Sequence, residues 1–551
     1  MTPRGNRAGG DDARDRRRDE RAPAPKRSGE SGRAQAQGGP RRDRNGAGRP
    51  PAADQRSGSG RDRDERRGST GQRAATGRAD RSSAGRPTSG SKTPARQGPK
   101  VAGRPRQAPT DPPRSVARDV LRAVRERDAY ANLVLPALLR ERGLAGRDAA
   151  LATELAYGAC RSLGLLDAVI AEGAGPSMEE IAGPRGGVRR RGVFNFLPTS
   201  IGAHAAVDTS VALARAESGA GKAGFVNAVL RRAAEKTTEE WVEALAPADP
   251  VGRLAFEYAH PAWIAQAFAD ALGARAAELG EVLAADDARP LVHLVARPGD
   301  ITAEELALVT GGEEGRWSPY AVYLDGGDPG KLEPVRAGMA AVQDEGSQLV
   351  ALALTRAELE GPDTGRWLDL CAGPGGKAAL LGAIAAIDGF RVDAVEPAAH
   401  RAELVRKAVH DLPVDVHVTD GRASGLTPGY DRVLVDAPCT GLGALRRRPE
   451  ARWRRTPADV RQLVVLQREL LAAAWDLLRP GGVVLYSTCS PHLPETVSIV
   501  ADAVRRLGAE QLDTRELLPG VTDVGDGPGA QLWPHRHGTD AMFLAALRKP
   551  R

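Results

Sequence analysis

Two short motifs near the C-terminal end carry residue types suited to covalent chemistry: Asp436-Ala437-Pro438-Cys439 and Ser487-Thr488-Cys489-Ser490. Each closes an apolar run that reads as a buried strand, Asp431-Arg432-Val433-Leu434-Val435 in one case and Val483-Val484-Leu485-Tyr486 in the other. A strand end that delivers a thiol beside an acid suits nucleophilic catalysis, and two such ends suggest that one thiol attacks while the other assists. The remaining cysteines, Cys160 and Cys371, complete a set of four without Cys-x-x-Cys spacing. In a long chain that set forms neither a disulfide framework nor a zinc site, so the expectation is no metal, and free thiols in a reducing cytoplasm. Cys160, among apolar residues of a helix, reads as core.

A third motif, Asp369-Leu370-Cys371-Ala372-Gly373-Pro374-Gly375-Gly376-Lys377, follows a strand and opens a helix. A Walker loop needs Gly where Cys371 stands and Ser or Thr where Ala378 stands, so that reading fails. The spacing Gly373-x-Gly375-x-x-Ala378 satisfies a relaxed dinucleotide fingerprint, which leaves both NAD and S-adenosylmethionine open. Glycines let the backbone approach an adenosyl group closely, so Cys371 through Lys377 are candidate cofactor contacts. Glu396, closing the next strand, is placed for ribose hydroxyls, and Asp420, closing the third, for an adenine edge.

These motifs need a scaffold. Strands over Trp367–Leu370, Arg391–Val395, Val414–Val418, Arg432–Val435 and Gly482–Tyr486 alternate with longer helical patterns. That alternation predicts a doubly wound parallel sheet over residues 341–551. Residues 113–236 show only helical spacing, in Val116–Val124 behind a Ser115 N-cap, Leu133–Arg142, Asp148–Leu166, His204–Ala216 and Gly224–Ala234, and predict an all-helical domain. Gly173–Arg191 breaks that pattern with glycines, two prolines and three consecutive arginines, either as a long loop or as a locally altered segment. Residues 237–340 read as a small α/β connector, with helices over Glu239–Leu245, His260–Leu272 and Arg275–Asp286 and strands over Leu291–Ala296 and Tyr320–Leu324.

Residues 1–112 contain no Phe, Trp or Tyr and read as a disordered Arg/Gly/Pro-rich tail. Residues 1–113 hold 28 Lys and Arg against 13 Asp and Glu, a net of +15, which leaves −8 on the remainder of a 551-residue chain whose total is +7. A basic arm that concentrates the protein on RNA and a solvated linker fit that charge equally. No apolar run is long enough for a membrane span or a secretory signal.

Taken in order, Asp-Leu-Cys-Ala-Gly-Pro-Gly-Gly-Lys, Asp-Ala-Pro-Cys-Thr-Gly-Leu-Gly and Tyr-Ser-Thr-Cys-Ser resemble the cytosine-5 RNA methyltransferases. His260-Pro261-x-Trp263, Gln343-Asp344-Glu345-Gly346-Ser347-Gln348 and Pro534-His535-Arg536-x-Gly538-Thr539-Asp540 narrow the resemblance to the 16S ribosomal-RNA enzymes of the RsmB (Sun) type. Ala203-His204-Ala205-Ala206-Val207 and Phe225-Val226-Asn227-Ala228-Val229-Leu230-Arg231 resemble a NusB-like RNA-binding module. The resemblance spans residues 114–551, and Gly173–Arg191 departs from the family's leucine-rich helix there.

It implies a Rossmann-like class I methyltransferase that uses S-adenosylmethionine, acts on 16S ribosomal RNA through a covalent Cys–C6 intermediate, and is a cytoplasmic monomer. By the same resemblance Cys489 is the nucleophile and Cys439 assists product release. Asp436 meets the cytosine edge while bordering the cofactor, and Lys377 adds positive charge beside them. DNA enzymes use the Pro-Cys position instead, so Cys489 favours RNA. Arg446-Arg447-Arg448, at the mouth of such a site, is expected to contact phosphate rather than only solvent. The alternatives are the same chemistry on transfer RNA, or a non-catalytic RNA-binding assembly factor.

Overall fold

The computed structural model describes residues 111–174, scattered positions between 208 and 216, and 219–551. Residues 1–110 of the tail expected to be disordered, the Ala203–Val207 motif and all but the first two residues of Gly173–Arg191 lie outside the described residues, and His204–Ala216 is described only in part; Asp111 and Pro112, counted with the tail, instead begin the first helix.

In the C-terminal half of the chain the apolar runs become strands because both of their faces are covered. A small antiparallel sheet comes first in the chain: β1 (Val292–Ala296), β2 (Glu313–Glu314), β3 (Ala321–Leu324) and β4 (Ala340–Val342), in the order β2-β3-β1-β4. The large sheet follows, with β5 (Arg366–Asp369), β6 (Arg391–Val395), β7 (Val414–His417), β8 (Tyr430–Asp436), β9 (Leu478–Thr488), β10 (Glu510–Gln511), β11 (Ala530–Gln531) and β12 (Phe543–Arg548). Its order is β10-β12-β9-β8-β5-β6-β7, with β11 pairing β12. Strands β5 to β9 run parallel. The expected all-parallel sheet is therefore corrected to a mixed one, because β12 inserts antiparallel beside β9.

Alternate residues of the central strands feed two cores. Leu434, Val483 and Leu485 pack with helices Glu345–Arg356 and Gly376–Ile387 on one face. Val433, Val435, Val484 and Tyr486 pack with helices Pro457–Leu477 and Val497–Leu507 on the other. Each fully buried Val or Leu contributes roughly 1.5–3 kcal/mol by leaving water, which is what fixes the register that presents the two cysteine motifs.

The N-terminal helices begin one turn earlier than Ser115. Pro112 and Pro113 open the helix Pro112–Glu126, where missing N–H groups cost nothing, and Asp111 caps it by accepting from the Arg114 backbone N–H at 3.2 Å. The expected single helix over 148–166 divides at Ser162 into Gly146–Arg161 and Leu163–Ala174. Val116, Val120, Leu135, Ala152 and Ala156 form one small core, and Ile170, Val226, Val229 and Leu230 another.

The segment after Cys439 joins this helical region to the sheet. The Trp453 indole lies against Gly164, where an added Cβ would fall 2.2 Å from the ring, and its N–H donates to the Cys160 carbonyl at 3.2 Å. Arg454 donates to the carbonyls of Val124, Asp128 and Ala129 at 2.6–3.0 Å. Cys160 itself is buried, and desolvation pushes its thiol up to about 12, as befits an inert core residue.

Candidate active site

The C-terminal ends of adjacent parallel strands deliver the candidate residues to one edge of the sheet. Asp369 closes β5, Glu396 follows β6, Asp420 follows β7, Asp436 closes β8 and Cys489 follows β9. Ligands of open α/β sheets bind at this edge. The sequence reading had taken these residues from five separate segments, and the topology makes them neighbours.

The two reactive thiols meet. Cys439 Sγ and Cys489 Sγ are 3.4 Å apart, and both residues are half-buried. The hydrogen bond shared with Cys439 lowers the Cys489 thiol below its ordinary value; burial and Asp436 oppose this, while Lys377 and Arg448 add to it. The same hydrogen bond, with burial and the nearby Glu495 and Asp436 charges, pushes Cys439 well above its ordinary value. The surroundings of the pair thus favour ionisation of Cys489 over that of Cys439.

Lys377 lies beside them. Its ammonium donates to Asp436 Oδ2 at 2.8 Å and to Ser347 Oγ at 2.6 Å, while Ser487 Oγ donates to Asp436 Oδ1 at 3.0 Å. Burial alone would lower Lys377, but the Asp436 charge and hydrogen bond, with Cys489 and Asp369, raise it above its ordinary value and keep it cationic. The lysine therefore bridges the acid and the field that stabilises a thiolate.

The glycine loop has the shape a close-lying ligand needs. Gly375 adopts φ +114°, and a Cβ there would sit 2.9–3.0 Å from Ala408 and the Val405 backbone. At Gly373 an added Cβ would stand 2.1 Å from Glu396 Oε2. Glu396 is almost fully buried, accepts from the Ala398 N–H at 2.9 Å, and pairs with Arg401 at 3.2 Å. A side-chain-free loop facing a carboxylate at the next strand end fits an adenosyl ligand with ribose hydroxyls to donate. Asp420 caps the turn Gly421–Ala423 and is turned toward Arg422, whose hydrogen bonds hold its carboxyl down at about 2. Cys371 packs partly against the core below the loop, where burial raises its thiol.

Gly373→Ala is expected to weaken S-adenosylmethionine binding at least about tenfold, because the new methyl must displace either Glu396 or the loop. Calorimetry on the purified protein reads this directly; an unchanged affinity would remove Glu396 and Gly373 from the cofactor site.

Asp369 is an unusual acid that its place in the glycine motif does not announce. It is buried, one oxygen accepts from the Cys371 N–H at 3.2 Å, and the other has no hydrogen-bond partner among the described residues. Burial, then the Asp436 charge, raise its carboxyl to about 7. Below about pH 4 both folded and unfolded states are protonated there. Between pH 4 and 7 the unfolded chain releases the proton while the folded one keeps it, so stability falls as pH rises, by up to about 4 kcal/mol. Asp369→Asn should consequently raise the melting temperature at pH 8 and leave it nearly unchanged at pH 4. Equal shifts at both values would contradict the buried neutral acid.

The expected phosphate contact of the arginine run is corrected for two of its three members. Arg446 and Arg447 both pair with Asp344 and Asp540, at 2.7–3.1 Å. Burial would raise Asp344, but the His293 hydrogen bond and the charges of Arg447 and Arg446 hold it far below the carboxylate range. These arginines brace the loop after Cys439 rather than reaching for solvent. Arg448 is the exposed one, and its guanidinium lies over the Tyr130 ring of the helical region at 5.5 Å. Ser347 and Glu495 are site residues the sequence reading missed. Ser347 lies in the quoted Gln343–Gln348 motif, and Glu495 offered only the weak signal of an acid in an apolar stretch.

Among the described residues no helix is long and apolar enough to cross a membrane. Residues 356–548 match the family described as 16S rRNA methyltransferase RsmB/F, and residues 111–235 match the NusB family. A Mycobacterium tuberculosis protein named only as a methyltransferase, Rv1407, is 62% identical over 449 residues, spanning 81% of this chain and 98% of that one. Ribosomal RNA small subunit methyltransferase B of Erwinia tasmaniensis is 31% identical and spans 79% of this chain and 98% of its own length. The crystal structure of PH0851 shares the fold, with a TM-score of 0.65 at 21% identity, covering 80% of this chain and 99% of that one. With the glycine loop, the strand-end acids and a NusB-family helical region in one chain, the protein belongs to the RsmB/F family of S-adenosylmethionine-dependent RNA methyltransferases.

Proposed function

We propose that this protein methylates carbon 5 of a cytosine in 16S ribosomal RNA, with Cys489 as nucleophile. The observation that supports it most is the pair of thiols 3.4 Å apart beside the Lys377–Asp436 ion pair. Carbon 5 of cytosine is a weak nucleophile until a group adds at carbon 6. The Cys489 thiolate forms that Sγ–C6 bond, and the ring becomes an enamine whose carbon 5 carries electron density. S-adenosylmethionine supplies the electrophilic methyl group. Asp436, held in place by Lys377 and Ser487, faces the base edge and favours a protonated ring nitrogen, which makes carbon 6 more electrophilic.

The carbon-5 proton then passes to water, the C5–H electron pair restores the C5–C6 double bond, and the Sγ–C6 pair leaves with the Cys489 sulfur as thiolate. Cys439, keeping its proton within hydrogen-bond distance of the departing sulfur, donates a hydrogen bond that stabilises the Cys489 thiolate as it leaves. The cofactor set is Cys371 through Lys377, with Glu396 on the ribose, Asp420 toward the adenine, and Asp436 at the border. Residues 113–236 serve as the RNA-binding domain, 237–340 as connector and 341–551 as the catalytic domain, in a cytoplasmic monomer. The target cytosine must be unpaired or flipped out to reach the thiol.

The names of the relatives favour small-subunit RNA over transfer RNA. Bisulfite sequencing of ribosomal and transfer RNA from cells with and without the gene tests this. The expected result is one 16S cytosine that loses protection when the gene is removed. Loss confined to transfer RNA would move the substrate, and no change at any cytosine would leave an assembly factor.

A further inference from the structure

Glu495 is fully buried on the turn Leu493–Glu495, and its carboxylate accepts four hydrogen bonds from neutral donors. The Thr440 N–H donates at 2.8 Å, Thr440 Oγ1 at 2.5 Å, Ser490 Oγ at 2.8 Å and Gln467 Nε2 at 3.1 Å. Thr440 is the residue after Cys439, and Ser490 is the residue after Cys489. Gln467 also donates to the Pro438 carbonyl at 2.9 Å, so the backbone on both sides of Cys439 is held by this one cluster. The Glu495 main-chain carbonyl in turn accepts from Tyr486 Oη, on β9, at 2.7 Å.

Burying a carboxylate away from water costs several kcal/mol, and an apolar residue would fill the same space without that cost. What an apolar residue cannot do is accept four hydrogen bonds. Glutamine cannot either, since its amide nitrogen only donates. The requirement for an acceptor-only group arises where two loops fifty residues apart in sequence must be held at one separation.

We propose that Glu495 is a positioning residue that ties the two cysteine loops together and sets both the Sγ–Sγ separation and the direction of the hydrogen bond between the thiols. The inference rests on the reading that Cys489 and Cys439 serve one covalent cycle. Its charge works with its geometry. Cys439 is faced by Cys489, Glu495 and Asp436, all of which oppose its ionisation; Cys489 is faced by Lys377 and Arg448, which favour its own, and by Asp436, which does not. The carboxylate therefore keeps the proton on Cys439, the thiol that donates a hydrogen bond to the departing sulfur when the product leaves.

The test uses the full-length protein and two readouts. The first is the pH profile of iodoacetamide alkylation at each cysteine, followed by mass spectrometry; the second is the lifetime of the covalent adduct with 16S RNA transcript. In Glu495→Gln the loss of a neighbouring negative charge should move the Cys439 profile to lower pH by on the order of one unit. Turnover should fall about tenfold or more, with adduct persisting. Ser490→Ala, which removes one hydrogen bond and keeps the charge, should lengthen adduct lifetime while leaving the Cys439 profile in place, and it decides the matter if Glu495→Gln does not fold. Wild-type profiles and wild-type adduct lifetime in both variants would overturn the proposal. If Cys439→Ala, the variant expected to trap the adduct, forms none at all, the covalent cycle fails, and the alkylation profile alone still decides whether Glu495 orients the pair.

Discussion

Cys489→Ala is expected to abolish methylation of 16S transcript, with a loss on the order of 10⁴-fold or more, while S-adenosylmethionine still binds and the melting temperature changes little. The nucleophile supplies the only bond that turns carbon 5 into an attacking centre, and no neighbouring group can substitute for it. Cys439 is the nearest thiol, yet burial and the Glu495 and Asp436 charges keep it protonated, so it is a poor replacement nucleophile at neutral pH. Removing Cys489 also removes the acceptor of the Cys439 hydrogen bond, but the loop geometry persists through the Gly443 N–H to Cys489 carbonyl bond at 2.9 Å and the Glu495 cluster. The measurement is tritium transfer from labelled cofactor to transcript, with calorimetry as the control for cofactor binding. Full activity in Cys489→Ala would reassign the nucleophile, and loss of cofactor binding would reduce the variant to a folding defect.

How much of this was legible beforehand follows from which forces are local. Leu434 and its neighbours Val433 and Val435 announce a strand buried on both faces from their run alone, because alternate side chains serve different cores. The cysteine and glycine motifs were readable for a related reason: the reacting group, its neighbour acid and the turn glycine lie within a few residues of one another. What failed to show was decided by contacts across the chain. Phe543–Arg548 contains two alanines and reads poorly as a strand, and only the open edge of β9 makes it one. Arg446 and Arg447 look free to contact phosphate until Asp344, about a hundred residues earlier, and Asp540 arrive beside them. Glu495 has only the weak local signal of a lone acid. Its significance exists only once the loops after Cys439 and Cys489 meet, and a sequence pattern holds no term for that meeting.

The same meeting makes Cys439→Ala informative in the opposite way from Cys489→Ala. The expected result is an enzyme that completes bond formation and methyl transfer but keeps the RNA attached, seen as a slow-migrating band on a denaturing gel that wild type does not accumulate. Alanine removes the hydrogen-bond donor 3.4 Å from the departing sulfur and also removes the hydrogen bond that lowers the Cys489 thiol. The second effect slows attack modestly, since Lys377 and Arg448 still favour the thiolate. The first leaves Cys489 to depart without its hydrogen-bond donor, at a cost on the order of 10²–10³-fold, the size of losing one donor to a developing anion. Release is slowed more than attack, so the adduct accumulates rather than vanishing. The double variant Cys489→Ala/Cys439→Ala should form no band, which ties the adduct to Cys489. A band that survives in the double variant would place the covalent bond on another residue, and a Cys439→Ala enzyme that turns over like wild type would show that the departing thiolate needs no partner.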